Sequence, residues 1–374
     1  MQPTDSAPDP ATTTENSPHR RACLRCDGAL YPSRQKLDGA RSGAPGSYRL
    51  MRCQRCGLAQ IEPRLSSAEL LALQEASFTQ RGGADSYGRL IAAVLTSPLY
   101  RLWLAVDGDW SGHALALNRP DGATAATATA TAKKRLLDVG CGQGRSAKLF
   151  RAAGFEVTGV EPSARQARQA RLAELTVVEA RLETARLDGR FDAILLANVL
   201  EHLDNPRAAL RRCAGLLAPG GWLFVSCPNR LSWQRRLFGR AWINWYAPFH
   251  LCHFAPQDLQ ALLAEAGLTI TRARQVSPSL WTAQSLVCAL TGNGATSARW
   301  LRQPLLMSVL TLLAAGLGWP LRALSNLCGG GDCLVYLVRA AAPPPSPTRN
   351  GGKSGGAAFL ADKSNAAGAG VIER

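Results

Sequence analysis

Four cysteines near the N-terminus have the spacing of a metal site. Cys23 and Cys26 form one Cys-x-x-Cys pair, and Cys53 and Cys56 form a second in the similar contexts CLRCDGAL and CQRCGLAQ. Two such pairs can place four thiolates at the corners of a tetrahedron, which is the arrangement of a structural zinc site. A redox dithiol needs only one pair. We therefore predict a structural zinc ion held by all four cysteines.

A glycine-rich turn forms the second chemical signal. The stretch RLLDVGCGQGRSAKLF, from Arg135 to Phe150, leads from an apolar run into Gly140, Gly142 and Gly144. Glycine permits a positive φ and lets a ligand lie against bare backbone, and the following helix points its free N–H groups at the turn. A second β-rich run, FEVTGVEPS, ends at Glu161, whose carboxylate can accept both hydroxyl protons of a ribose. Together these features predict a nucleoside site.

These residues require strands that end at one edge of a sheet. Further apolar runs occur at LTVVEARLE, at FDAILLANVLEHLDNP and at WLFVSCPN, and helical stretches rich in Ala, Leu and Arg separate them. Alternating strands and helices predict an α/β fold with a Rossmann-like, doubly wound and mainly parallel sheet. Ligands of such sheets bind at the carboxyl ends of the strands, where Glu161 and Asn198 fall.

At these motifs the chain resembles the class I S-adenosylmethionine-dependent methyltransferases. The matching stretches are LLDVGCGQG, the strand ending at Glu161, ANVLEHLDNP and LLAPGGWLFVSCPN. A dinucleotide enzyme is the weaker alternative, because GCGQG lacks the third glycine of GxGxxG. The resemblance implies S-adenosylmethionine as cofactor. It implies contacts from Asp138, Gly140, Gly142 and Gly144 to the methionine moiety, from Glu161 to the ribose, from the backbone near Arg181 and Leu182 to the adenine, and from Asn198 near the sulfonium.

The acceptor side is less defined by sequence. His202, just past the fourth strand of the motif series, is a candidate base for an acceptor that is protonated at the working pH. The alternative is that Glu201 and His202 begin a helix and pack or cap it. His250 and His253 form a second pair, and related enzymes carry a similar His-x-x-His-Phe stretch beside the acceptor pocket. No third metal ligand is evident near that pair, so we expect it to line the pocket or to be structural.

The N-terminal module has its own resemblance. A Gly57 to Pro63 segment of the form GL-x-x-x-x-P follows the cysteines, as in zinc-ribbon modules on some bacterial methyltransferases that act on natural products and cell-surface glycans. Asp27 replaces a glycine of that pattern, and either residue tolerates a positive φ. Acceptor recognition and simple coverage of the catalytic domain both remain open as roles for this module.

The chain of 374 residues, 46% of them hydrophobic, is long enough for one large domain and a small one. No secretory signal is evident in the polar, acidic N-terminus, and the seven remaining cysteines are scattered singly, so we expect a cytosolic protein. The predicted divisions are a disordered segment at 1–21, a zinc ribbon at 22–63, a helical cap at 64–118, a low-complexity linker at 119–134, a methyltransferase domain at 135–340 with a hydrophobic helical insertion at 281–328, and a disordered tail at 341–374.

The formal charge of +16 suggests an anionic partner. Nucleic acid is one class of such partner, but the cations are mostly arginines spread along Ala- and Leu-rich stretches, without an RNA-binding signature. The densest patch is Asn229 to Trp245, NRLSWQRRLFGRAWINW, where arginines alternate with aromatic residues. Such a patch suits a membrane interface or an anionic acceptor as well as RNA.

An uncharged run from Gln303 to Leu321 approaches the length that spans a bilayer. Cys333 to Ala340, CLVYLVRA, resembles the last strand of the sheet, and a return to the sheet would exclude a single pass through the membrane. Pro304, Pro320 and the break from Gly316 to Gly318 favour a bent element at the membrane surface. A hydrophobic cap and a dimer face remain alternatives, so the predicted location is the cytosol or the inner face of the cytoplasmic membrane.

We therefore expect an S-adenosylmethionine-dependent methyltransferase that acts on an oxygen of a small or lipid-linked acceptor. By family resemblance and the apolar insertion, the acceptor is a glycan, glycolipid or isoprenoid-like biosynthetic intermediate. Two alternatives remain: a ribosomal RNA methyltransferase, and a zinc-containing binding protein with a vestigial cofactor pocket.

Overall fold

The computed structural model describes residues 22–44, 46–79 and 133–340. A central sheet has seven strands in the order β6-β5-β4-β7-β8-β11-β10. Strands β4 to β8 are parallel, and β11 runs antiparallel to both of its neighbours. The predicted mainly parallel α/β sheet is confirmed. The strands are β4 (Arg135–Val139), β5 (Glu156–Val160), β6 (Thr176–Val178), β7 (Phe191–Ala197), β8 (Leu217–Pro228), β10 (Leu268–Val276) and β11 (Cys333–Ala340).

Successive side chains along the buried strands pack alternately into two separate hydrophobic cores. On β7, for example, Ile194 and Leu196 pack into one cluster, whereas Ala193 and Leu195 pack into the other. This period of two is expected for a sheet covered on both faces. The helices of this part of the chain, with α1 and α2 beside the cavities, are α1 (Ser67–Thr79), α2 (Arg145–Ala152), α3 (Ala164–Leu172), α4 (Pro206–Leu216), α5 (Trp233–Phe238) and α6 (Pro256–Glu265).

The cysteine-bearing segment forms a four-stranded antiparallel sheet. Its strands are β1 (Leu30–Asp38), β2 (Ser47–Cys53), β3 (Ala59–Glu62) and β9 (Cys252–His253), in that order. Strand β9 comes from the catalytic part of the chain, far from the others in sequence. Leu58 and Cys53 also lie in the same buried cluster as β4 and β7. The ribbon is therefore built onto the large domain and shares its core.

Between β10 and β11 the chain forms four helices, α7 (Ser279–Thr291), α8 (Ala295–Leu301), α9 (Pro304–Gly316) and α10 (Trp319–Leu327). Helix α7 packs against the core through Ala283 and Val287, whereas many apolar side chains of α9 and α10 are exposed. In the described ranges no helix is by itself both long and apolar enough to cross a membrane, although α9 and α10, bent by 63°, meet that length and composition together. Strand β11 does return to the sheet, between β8 and β10.

Several sequence predictions fall on segments outside the described residues. These are the disordered segment at 1–21, most of the helical cap and linker at 80–132, and the tail at 341–374.

Candidate functional site

The glycine turn after β4 has the predicted backbone. Gly140, Gly142 and Gly144 have φ values of 66°, 53° and 78°. A Cβ on Gly140 would stand 2.8 Å from Cγ2 of Val199, so this position also lacks room for a side chain. The turn thus keeps its backbone bare beside the carboxyl ends of the strands, as a bound nucleoside requires.

Glu161 lies directly against this turn. Its carboxylate accepts hydrogen bonds from the backbone N–H of Gly142, at 2.9 Å, and of Ser163, at 3.0 Å. The side chain is 3% exposed, and burial raises its pKa. The predicted partners, a glycine turn and an acid one crossover later, are brought together.

Asp138 and Asn198 carry buried oxygens without protein partners. Oδ2 of Asp138 and Oδ1 of Asn198 accept no hydrogen bond from the described part of the chain. Burial, followed by the charge of Glu161, raises the pKa of Asp138 to about 7. Since a buried polar atom is normally satisfied, both oxygens indicate space for a ligand that donates hydrogen bonds or carries positive charge.

A cavity of about 290 Å³ opens at the turn. Arg181 and Leu182, predicted near the adenine, lie on its wall. The Arg181 guanidinium pairs with Glu183 at 3.3 Å and with Asp204 at 2.8 Å. Neither Glu183 nor Asp204 was predicted from the sequence as a partner of Arg181. The signal available for them was the presence of an acid in ETARLD, which contains Glu183, and in HLDNP, which contains Asp204. The wall also includes Gly140, Gly142, Glu161, Asn198 and His202.

Helix α1 closes this cavity from the N-terminal side. Ser67, Leu70, Leu71 and Gln74 line it. The hydroxyl of Ser163 donates to Glu75 at 3.0 Å, which ties α1 to the end of β5. The described part of the segment at 64–118 thus contributes to the wall of this cavity, and the cap over the rest of that segment stays a prediction.

A second, larger cavity of about 900 Å³ adjoins the first. Asn198 and Tyr246 line both cavities. These two residues also have positive φ values of 54° and 23°, although neither is glycine. Strained backbone of this kind is often kept where a site requires it. The junction of the two cavities is therefore the position at which two bound molecules would meet.

Three parts of the chain contribute arginines to the wall of the second cavity. Arg41 and Ser42 come from the ribbon, Arg145 from the start of α2, and Arg302 from the end of α8. The Arg41 guanidinium is fixed by the backbone carbonyl of Ile243 at 2.9 Å. Because three arginines contribute to its wall, the cavity favours an anionic occupant.

His202 faces the first cavity from a single 3-10 turn, Leu200–His202. Its Nδ1 lies 2.9 Å from the carbonyl of Phe249, and burial lowers its pKa to about 4. His250 lines the second cavity, whereas His253 lies beside Trp245 on β9. The pair predicted from spacing therefore splits, and only His250 reaches a cavity wall.

The comparisons with known proteins agree with this geometry. A family described as "Methyltransferase domain" matches residues 114–273. A ubiquinone biosynthesis O-methyltransferase of Bordetella bronchiseptica is 30% identical over 162 residues, which cover 40% of this chain and 67% of the relative. The chain belongs to the class I S-adenosylmethionine-dependent methyltransferases.

The methyltransferase is also similar, over part of its length, to a second curated relative and to a solved structure. A ubiquinone biosynthesis O-methyltransferase of Xanthomonas axonopodis pv. citri is 34% identical over 36% of this chain and 63% of the relative, slightly less than two thirds of the latter. A solved S-adenosylmethionine-dependent methyltransferase of Thermotoga maritima is 23% identical with a TM-score of 0.37, over 51% of this chain and 84% of that one.

The methyltransferase brings its four N-terminal cysteines together. Sγ of Cys23 lies 3.5 Å from Sγ of Cys56, and Sγ of Cys26 lies 3.5 Å from Sγ of Cys53. All four sulfurs lie within 4.8 Å of one another. Four Zn–S bonds of about 2.3 Å in a tetrahedron separate the sulfurs by about 3.8 Å, so the set fits a zinc ion. Asp27 has the positive φ, 56°, that its position after the second cysteine predicts.

The basic and aromatic segment from Asn229 to Trp245 is buried only in part, because Trp233 is 47% exposed whereas other aromatic side chains of the segment are buried. Trp242 and Trp245 are buried, at 0% and 4% exposure, and Trp242 donates to Asp332 at 2.8 Å. Arg230 pairs with the buried carboxylate of Asp258. These aromatic side chains belong to the core under the ribbon, because a Trp ring buries a large apolar area. They are not available to stack on nucleic acid bases.

Proposed function

We propose that this methyltransferase transfers a methyl group from S-adenosylmethionine to an oxygen of a small anionic acceptor. The observation that carries the proposal is the meeting of two cavities at Asn198 and Tyr246. The first cavity has a bare glycine turn and Glu161, and the second is large and lined with arginines. Oxygen as the methylated atom is supported by the similarity to ubiquinone biosynthesis O-methyltransferases.

The cofactor would occupy the first cavity. When bound, S-adenosylmethionine supplies a methyl group on a sulfonium. Asp138 would face its positive methionine end, the glycine turn would leave room for its backbone, and Glu161 would accept from the ribose hydroxyls. The adenine would lie toward Leu182, and Asn198 would lie at the sulfonium end.

The acceptor would occupy the second cavity. Arg41, Arg145 and Arg302 favour a phosphate or carboxylate on it. A glycan, glycolipid or isoprenoid-like intermediate that carries such a group meets this requirement. Since Arg41 comes from the ribbon, we assign the ribbon a part in acceptor recognition. We also assign it a structural zinc ion on Cys23, Cys26, Cys53 and Cys56.

Methyl transfer depends more on how the reacting atoms are positioned than on a strong acid or base. The acceptor oxygen forms a bond to the methyl carbon while the carbon–sulfur bond breaks and its electron pair stays on sulfur. Holding oxygen, carbon and sulfur in line supplies much of the rate. The acceptor proton must also leave, and His202 lies at the first cavity, beside this junction. With its pKa lowered to about 4, His202 is a weak base for an ordinary hydroxyl.

We also propose peripheral contact with a membrane through α9 and α10. Leu305, Leu312, Leu317, Leu321 and Leu327 are each more than 60% exposed. No Asp or Glu occurs between Glu265 and Asp332, so the whole insertion carries only positive formal charges. An exposed apolar surface with a cationic surround suits an anionic lipid surface.

The test of the function has two steps. Calorimetry with S-adenosylmethionine should show one binding site per zinc-loaded chain, and absence of binding would favour a vestigial pocket. Cell extracts incubated with labelled methyl donor should then yield a labelled acceptor of low mass that binds anion-exchange resin. Label in ribosomal RNA, with binding that falls steeply as salt rises, would instead support the RNA alternative.

A further inference from the structure

Three polar side chains outside the cofactor contacts converge at the junction of the cavities. Glu201 and His202 lie on the turn after β7, and His250 lies in the loop before β9. Each offers a ligand atom, and these atoms lie within 4.8 Å of one another. His202 faces the first cavity, whereas Glu201 and His250 face the second.

Both imidazoles are oriented in the same way. Nδ1 of His202 lies 2.9 Å from the carbonyl of Phe249, and Nδ1 of His250 lies 2.8 Å from the carbonyl of Asn244. A carbonyl oxygen only accepts, so each Nδ1 carries the proton and each Nε2 keeps its lone pair. A histidine that binds a metal usually donates its other N–H to a carbonyl or carboxylate in this manner.

Glu201 supplies an independent observation. It is 1% exposed, and neither carboxyl oxygen has a hydrogen-bond partner in residues 22–44, 46–79 and 133–340. Its Oε1 lies 3.9 Å from Nε2 of His250, too far for a hydrogen bond. An unsatisfied buried carboxyl is costly, and a bound cation would remove that cost.

We propose that Glu201, His202 and His250 bind one divalent cation at the junction of the two cavities. Two imidazoles and one carboxylate on one side of an ion leave positions open for oxygen ligands, a set typical of first-row transition metals. The three atoms would close to about 3 Å from one another around bonds of about 2.1 Å.

The role of the ion rests on the proposed function, whereas its binding does not. Facing both cavities, the ion would bind the acceptor hydroxyl and hold its oxygen toward the sulfonium. It would withdraw electron density, so that the hydroxyl proton passes to water in the open second cavity. His202 is then a ligand, in place of the base predicted from sequence.

The experiment uses the full chain carrying one zinc ion, at the cysteine site, and Mn²⁺ as probe of the second site. Thiolates prefer zinc and carboxylates suit Mn²⁺, so the cysteine site should keep its zinc. Loss of the electron paramagnetic resonance signal of free Mn²⁺ should show one site per chain. Glu201→Gln and His250→Gln should each weaken binding at least about tenfold. His253→Gln is the matched control, because His253 is a buried histidine outside the cluster, and it should bind like the wild type.

A second measurement does not depend on the variants' folding. Electron spin-echo modulation of Mn²⁺ bound to the wild type should show nitrogen couplings from two imidazoles. No Mn²⁺ binding by folded wild-type protein, or binding without imidazole coupling, would overturn the proposal. Calorimetry on the same sample separates the two hypotheses: cofactor binding without Mn²⁺ binding overturns only the metal site, and Mn²⁺ binding without cofactor binding overturns only the proposed function.

Discussion

The carboxyl groups of Asp138, just before the glycine turn, and of Glu161, on the wall of the first cavity, have different hydrogen-bond partners. Glu161 accepts from two backbone N–H groups, whereas Oδ2 of Asp138 accepts none from the described residues. Both are nearly inaccessible to water, and their charges oppose each other. Burial and then the charge of Glu161 therefore raise the pKa of Asp138 to about 7, and a positively charged ligand would favour its ionised form.

We expect the affinity for S-adenosylmethionine to depend on pH through Asp138. Burial and then the charge of Glu161 raise its pKa to about 7 in the free protein, so below that pH the carboxyl is protonated. A cationic ligand favours the ionised form, and the dissociation constant should rise by up to about tenfold per pH unit below pH 7. Calorimetry from about pH 5.5 to about pH 8 measures this slope.

Asp138→Asn should weaken binding at high pH and remove the slope. Glu156→Gln, at an exposed acid on β5, is the control and should keep it. A dissociation constant of the wild type that does not change with pH would contradict the assignment of Asp138 to the positive end of the cofactor.

Gly140→Ala should reduce cofactor affinity at least about tenfold. The new Cβ would stand 2.8 Å from Val199, and the positive φ costs a non-glycine residue about 1 kcal/mol or more. Gly154→Ala also places a side chain at a positive φ, 94°, but Gly154 has open space around it and lines neither cavity. It should lower the melting temperature without affecting calorimetric affinity. Equal affinities of the two variants would mean that the turn does not contact the cofactor.

At the scale of elements, the ribbon and the catalytic sheet form a connected structure. The N–H of Ile61 on β3 donates to the carbonyl of Leu251 at 3.1 Å, and the N–H of Leu251 donates to the carbonyl of Glu201 at 2.8 Å. Arg25 of the ribbon also pairs with Glu265 on α6 at 2.8 Å. The ribbon thus supports the acceptor side of the site, because β3 positions the turn that carries Glu201.

Cys53→Ser should release zinc and impair acceptor turnover more than cofactor binding. Arg41 and Ser42 of the ribbon line the second cavity, whereas the described lining of the first begins at Ser67. We expect S-adenosylmethionine affinity to stay within about threefold, which is under 1 kcal/mol. Elemental analysis, calorimetry and the Michaelis constant for acceptor measure the three effects.

The control for this change is Cys213→Ser, at a buried cysteine outside the four-cysteine cluster. It should keep the zinc content of the wild type. Zinc retained in full by Cys53→Ser would refute the site, and a large loss of cofactor affinity would place the ribbon's effect at the first cavity.

At the scale of the whole molecule, charge and apolar surface are unevenly distributed. The described acids include those at the cofactor cavity and in ribbon contacts, whereas the insertion from α7 to α10 has none. Its bent helices α9 and α10 leave leucine side chains exposed to solvent, which is unfavourable for apolar groups in water. Both features suit contact with an anionic membrane surface.

The protein should float with anionic liposomes, and Leu312→Glu combined with Leu317→Glu should reduce the bound fraction at least about tenfold. Burying one exposed leucine in lipid contributes about 1.5–3 kcal/mol. Losing two leucines therefore removes more free energy than a tenfold loss of binding requires. Leu172→Glu is the matched control, because Leu172 is 77% exposed on α3 outside the insertion. Equal flotation of all three proteins would argue against membrane contact through α9 and α10.

Local patterns were sufficient to predict much of the molecule. The glycine turn, the acid after β5 and the doubled cysteine pairs follow from spacing, because each depends on backbone conformation or on ligand geometry within a short segment. The strand and helix alternation likewise predicted the central sheet. In the segment from Asn229 to Trp245, composition did not tell which aromatic side chains are buried: Trp242 is buried, whereas Trp233 is 47% exposed.

Thus the sequence by itself determined the strands of the central sheet, the glycine turn and the cysteine set. Only the tertiary structure joined His250 to Glu201 and His202, brought Arg41 from the ribbon to the same cavity as Arg302, just after α8, and added β9 to the ribbon sheet. These groups lie far apart in the chain, and no local pattern records which loops meet. Their meeting depends on packing of the sheet, the ribbon and the insertion around common cores, which is a property of the whole fold.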